Sequence, residues 1–185
     1  MKSKDGIVLD SETTGLLRPN LADVNLQPFM TEIYCIRVDK KNRIIDEFES
    51  LFKIPIPVPE HITRITQITD EMLEFQEPFN AKFKEISKFF KGAEYSLGHN
   101  VNFDLDMIKF EARRMGLERK FNWTKKSLCT VELSFPIENK RLKLGYLHEL
   151  ATGNKISGAH RARADVMATL ECYKWLKEVG LAWKK

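Results

Sequence analysis

Gly6-Ile7-Val8-Leu9-Asp10-Ser11-Glu12-Thr13-Thr14-Gly15 runs an apolar stretch straight into two carboxylates. Residues 6–9 read as a buried strand, closed by Thr13-Thr14-Gly15. Alternate residues of a strand point to one face, so Asp10 and Glu12 share a face and Ser11 points to the other. Two ionised carboxylates side by side repel each other and resist leaving water, and a divalent cation relieves both problems. A lone Asp-x-Glu is more often a solvated strand end. Here small residues and a glycine follow, and these let the backbone come close to a ligand.

Two further stretches carry the same chemistry. His99-Asn100-Val101-Asn102-Phe103-Asp104 follows a strand predicted over 93–98 and opens a helix with Leu105, Ile108, Ala112 and Met115 on one face. An aspartate at a helix start is ordinarily a cap. His99 and Asn100, however, are polar side chains at the carboxyl end of a strand, where open α/β sheets bind ligands. In His160-Arg161-Ala162-Arg163-Ala164-Asp165 the histidine and the aspartate are five positions apart, which is not one helical face. His160 is therefore expected on the loop before a helix and Asp165 on its first turns. Four carboxylates without a cysteine ligand suit Mg²⁺ or Mn²⁺. Two such ions roughly 3.5–4 Å apart can clamp the attacking and leaving oxygens of a phosphodiester. A histidine can take a proton from the attacking water near neutral pH. The set predicts metal-dependent phosphodiester hydrolysis.

The rest of the chain supplies a frame for this set. Residues 32–38 and 44–52 read as strands joined by a turn at Asp39-Lys40-Lys41-Asn42. Pro55, Pro57 and Pro59 make 53–60 an extended loop. Thr69 caps a short helical turn, and Pro78 opens a helix with Phe79, Phe83, Ile86 and Phe90 at helical spacing, ended by Gly92. A strand is predicted over 127–133, with helices over 144–151 and from about 160 to 178. A hairpin followed by alternating elements predicts an α/β domain, a mixed sheet flanked by helices.

With 185 residues, 43% of them apolar, a single domain spanning 1–185 can bury its own core. The net charge of +4 admits nucleic acid as a partner without requiring it. Three widely spaced cysteines, Cys35, Cys129 and Cys172, form no disulfide framework or zinc spacing, and no apolar run is long enough to span a membrane. A strand that begins at Gly6 leaves no room for a leader, so a cytoplasmic location is expected. Arg161 and Arg163, beside His160, are the basic residues best placed to follow a phosphate backbone, and Phe103 and Phe29 are candidates for base stacking.

Asp-x-Glu-Thr-Thr-Gly, His-Asn-x-x-Phe-Asp and His-x-Ala-x-x-Asp, in this order, resemble the three motifs of the DEDDh exonucleases, typified by the epsilon proofreading subunit of bacterial DNA polymerase III. The resemblance implies a ribonuclease-H-like fold with a five-stranded mixed sheet and 3′→5′ exonuclease activity. It implies Asp10, Glu12, Asp104 and Asp165 as metal ligands and His160 as general base. By the same comparison Thr13 and Gly15 lie along the terminal nucleotide, and Thr66, His99, Asn100 and Phe103 line the pocket for the 3′ end. The family's usual Asp-Thr before the later helices reads Cys129-Thr130 here, away from the five catalytic positions. The implied partner is single-stranded nucleic acid, DNA ahead of RNA, with a polymerase or repair complex as a further candidate. An RNA exonuclease of oligoribonuclease or RNase T type is the alternative within the class. A binding module with a dead site is disfavoured, because all four acids and the histidine are present.

Overall fold

The structure is a computed structural model and describes residues 5–182 apart from 19 and 22. A five-stranded sheet in the order β3-β2-β1-β4-β5 forms its centre. β1 (Gly6–Thr13), β2 (Met30–Val38) and β3 (Ile44–Leu51) are antiparallel neighbours, whereas β4 (Tyr95–Gly98) and β5 (Lys126–Cys129) join the other edge of β1 in parallel. The helices are α1 (Glu60–Thr66), α2 (Asp70–Glu74), α3 (Phe79–Phe90), α4 (Val101–Arg114), α5 (Thr130–Glu138), α6 (Leu144–Thr152) and α7 (Ala162–Glu178). The mixed α/β architecture expected from the sequence is the one observed.

β1 is paired on both sides only from Gly6 to Val8, and from Leu9 to Thr13 it pairs with β2 alone. The doubly paired part is covered on both faces, and its residues Ile7 and Val8 are fully buried. Ile7 and Leu9 belong to a core shared with α3 and α4, and Val8 belongs to one shared with α6 and α7. The alternation that separates these two cores continues into the carboxylates. Asp10 and Glu12 therefore face α7, and Ser11 faces α4. Gly98 lets β4 end close to β1, because a Cβ there would lie 3.1 Å from the Leu9 carbonyl oxygen.

The α3 side is built on aromatic rings. Phe79, Phe83, Ile86 and Phe90 are buried along one stripe, and Phe90 meets Phe121 edge-on at 5.1 Å between centroids. The helix ends at Phe90, and Gly92 follows in the left-handed region at φ 80°.

Residues 127–133 are not one strand. β5 stops at Cys129, because its pairing with β4 runs out at Gly98, and Thr130 begins α5. Val131 favours a strand by its branching, but Leu133 and Ile137 recur at helical spacing and pack on the α7 core. The proline-rich loop is also shorter than expected, ending at Pro59 where α1 starts. The β-branched residues of α1 conceal a helix that packing maintains, with Ile62 against a cluster of Val58, Ile68 and Leu73.

Candidate active site

Asp10 and Glu12 extend from β1 toward the first turn of α7, which carries Asp165. Asp10, Glu12 and Asp165 each offer one oxygen, all within 4.8 Å of one another. Asp104 approaches from the opposite side of the sheet. It lies inside the first turn of α4, 3% exposed, and accepts a hydrogen bond from Ser11 Oγ at 2.7 Å. It is not the cap of that helix. Asn100 takes that position in the left-handed conformation, φ 75° and ψ 40°, which asparagine tolerates well. Ser11, on the face away from Asp10, is thus the residue that holds the fourth carboxylate at the strand end.

Ionisation is disfavoured at all four carboxyls. Burial, followed by the charges of Asp104 and Asp165, holds Asp10 well above the ordinary carboxylate range. Glu12 is pushed up to about 8 by burial and by Asp165 and Glu32. Asp104 is raised to about 7 by burial, against the opposing pull of the Ser11 hydroxyl. Burial also raises Asp165, which the His160 backbone N–H partly offsets. An all-oxygen set with excess negative charge fits a hard divalent cation, which would restore the ionised forms.

His160 lies on the loop before α7 and is exposed, as the five-residue spacing predicted. Its backbone is left-handed at φ 66°, and its N–H donates to Asp165 Oδ2 at 3.2 Å. Beside Asp165 and His160 opens a groove of about 720 Å³ walled by Asn100, Arg141, Lys143 and Tyr146. Arg141 Nη2 donates to Asn100 Oδ1 at 3.3 Å, so one cation is tied to this wall.

The expected nucleotide-facing residues are distributed unevenly. Thr13 ends β1 and donates to the Gly15 carbonyl at 2.7 Å, and a Cβ on Gly15 would meet nothing within 4 Å. Phe103 packs partly buried against the α3–α4 core. His99 borders the groove, yet both its ring nitrogens are engaged, Nδ1 with Thr130 Oγ1 at 2.8 Å and Nε2 with the Leu142 carbonyl at 3.1 Å. A carbonyl only accepts, so Nε2 carries the proton and Nδ1 accepts from Thr130. Burial lowers the His99 pKa to about 4 and keeps the ring neutral. Thr66 is 3% exposed, donates to the Ile62 carbonyl and accepts from the Ile68 N–H, so its hydroxyl is engaged within its own turn.

The arginines beside His160 are committed to carboxylates. Arg161 grips Glu32 through Nε and Nη2, the shortest contact being 2.6 Å, and Arg163 contacts Glu47 and Glu49 and lies over the Tyr34 ring at 4.9 Å. Phe29 is covered on one side by the Arg114 guanidinium at 4.0 Å. Glu32 escaped the sequence reading. It lies directly opposite Glu12 in the β1–β2 register and is 1% exposed. Its signal was a charge in phase with Tyr34, Ile36 and Val38 on an otherwise apolar face of β2.

A family model described as exonuclease matches residues 7–173. A PolC-type DNA polymerase III of Caldanaerobacter subterraneus is 32% identical over 181 residues, covering 95% of this chain and 12% of the relative. The 3′-5′ exonuclease DinG of Staphylococcus aureus is 31% identical over 167 residues, covering 88% of this chain and 17% of the relative. The chain thus spans less than a fifth of the length of either relative. Among solved structures, Escherichia coli exonuclease I in complex with a dT13 oligonucleotide superimposes with a TM-score of 0.73 at 20% identity, over 94% of this chain and 41% of that one. Exonuclease X in complex with 5′ overhanging duplex DNA gives a TM-score of 0.62 at 17% identity, over 97% and 94%. At those identities the likeness shows the fold, a ribonuclease-H-like sheet. Together with the family match and its placement across both cores and all four acids, it identifies the chain as a member of the exonuclease family.

Proposed function

We propose that this chain is a single 3′→5′ exonuclease domain, releasing nucleoside 5′-monophosphates from single-stranded or frayed DNA ends. The observation that carries this reading is the meeting of Asp10, Glu12 and Asp165 within 4.8 Å, with Asp104 close enough to raise the pKa of Asp10. These four residues would hold two divalent ions, Mg²⁺ or Mn²⁺. When bound, the ions supply neutralising charge and polarisation at the scissile phosphodiester. Thr13, Gly15, Asn100 and Phe103 would orient the terminal nucleotide. His99 and Thr66, with their polar atoms engaged, would contribute shape. Arg141 and Lys143 in the adjoining groove offer charge to the phosphate backbone. His160, exposed on its loop against Asp165, would accept the proton of the attacking water.

DNA is favoured over RNA because of the relatives named above, and the PolC relative supports a polymerase or repair complex as partner. Among the described residues no helix is long and apolar enough to cross a membrane. A time course on 5′-labelled DNA and RNA oligomers with Mg²⁺ or Mn²⁺ tests the reading. The expected result is a ladder that shortens from the 3′ end, faster on single-stranded DNA than on RNA. Products that shorten from the 5′ end, or no products with either ion, would overturn it. His160→Ala should lower the rate by roughly 10²–10⁴-fold, the range general-base catalysis supplies, and near-normal turnover would remove His160 from that role.

A further inference from the structure

We propose that Glu32 is a positioning residue that, through Arg161, sets the place of His160 over the carboxylate cluster. The proposal rests on the reading of His160 as general base.

Glu32 sits on β2 directly across from Glu12, yet it is not one of the three carboxylates that converge. Its oxygens are taken. Arg161 Nη2 reaches Oε1 at 2.6 Å, and Nε reaches Oε1 and Oε2 at 3.2 and 3.1 Å. The Ala162 backbone N–H donates to Oε2 at 3.0 Å. That N–H belongs to the first turn of α7, where no intrahelical acceptor exists, so Glu32 caps the helix from strand β2. The neighbouring cap is absent from the helix itself, for Arg161 at the N-cap makes no side-chain capping bond.

Two ties therefore bracket His160. Its own N–H is fixed to Asp165 Oδ2, and the next residue is clamped to Glu32. Ahead of it, residues 157–159 are exposed, and nothing comparable among the described residues anchors that side. The bracket also explains why His160 can persist in the left-handed region at φ 66°, a strained backbone for a non-glycine residue that surrounding contacts must impose. A bidentate guanidinium–carboxylate pair with one partner fully buried is directional as well as strong. The sheet, which also carries Asp10 and Glu12, thereby becomes the reference frame for the histidine. The base and the two β1 carboxylates are held to one rigid element.

The test uses the full chain with Glu32→Gln, and with Arg161→Gln made from the half-exposed end of the pair for the case in which the buried carboxylate cannot be replaced. Hydrogen exchange of the metal-free proteins should show faster exchange at the His160 and Ala162 amides, with the β1 and α4 amides unchanged. Turnover should fall about tenfold or more, a fraction of the roughly 10²–10⁴ that a general base contributes, with KM little altered. In a His160→Ala background, Glu32→Gln should cause no further fall. Unchanged exchange at His160 overturns the proposal, and so does an equal fall in turnover with and without His160. Normal turnover in His160→Ala alone would instead defeat the general-base reading, and the exchange measurement would still decide whether the clamp exists.

Discussion

Asp10 stands at the most crowded point of the acidic set, half-buried, with four other carboxylates, Asp104, Asp165, Glu12 and Glu32, raising its pKa. Its negative charge is a burden on the metal-free fold and an asset only to a bound cation. Asp10→Asn should therefore abolish cleavage, raise the melting temperature of the metal-free protein near pH 8, and remove most of the stabilisation that Mn²⁺ confers. Thermal melts with and without Mn²⁺ check this, and equal Mn²⁺ stabilisation in mutant and wild type would sink the ligand assignment. Ser11 offers a finer probe. Its hydroxyl favours the ionised form of Asp104, so Ser11→Ala should weaken Mn²⁺ binding in a calorimetric titration. The fold should lose only about 1 kcal/mol, the net worth of one hydrogen bond. An unchanged affinity would make the serine a packing residue.

At the scale of elements, His99 is the joint. One ring ties the end of β4 to Thr130, where α5 begins, and to Leu142, just before α6. His99→Ala leaves the Thr130 hydroxyl and the Leu142 carbonyl without these partners. It should lower stability by about 1–3 kcal/mol, measured by urea denaturation at pH 7.5. The ring also makes a signed contribution with pH. Its folded pKa, about 4, lies below the ordinary 6.5. Between those values the unfolded chain binds the proton and the folded protein does not. The wild-type protein should therefore lose this contribution as pH falls from 6.5 through about 4, and His99→Ala should show a flatter acid limb. Sequence patterns read the elements around this joint unequally. The α3 stripe declares itself by helical spacing. The β5–α5 boundary does not, because Val131 carries strand propensity and only the end of the pairing with β4 stops the strand.

For the molecule as a whole, the acidic site works against folding until a cation fills it. Glu12 has an ordinary pKa of 4.5 and a folded value of about 8. Across that window the folded state retains a proton that the unfolded chain has released, so stability falls as pH rises. Metal-free protein should melt at progressively lower temperature from about pH 4.5 to about pH 8. Saturating Mg²⁺ should reduce or reverse the slope, and Glu12→Gln should flatten it. A metal-free melting temperature that climbs steadily through this range would contradict the crowding of the carboxylates.

The sequence by itself determined the alternation that sends Asp10 and Glu12 to one face, the phenylalanine stripe of α3, and the five-residue gap that puts His160 on a loop ahead of Asp165. Each of these is local, a matter of strand or helix period within a dozen residues. Only the tertiary structure decided that Ser11 reaches Asp104 across 93 positions and that Arg161 closes on Glu32 across 129. No period relates residues so far apart. A carboxylate and a guanidinium are equally at home on a surface until the sheet and α7 bring them together and remove the water between them.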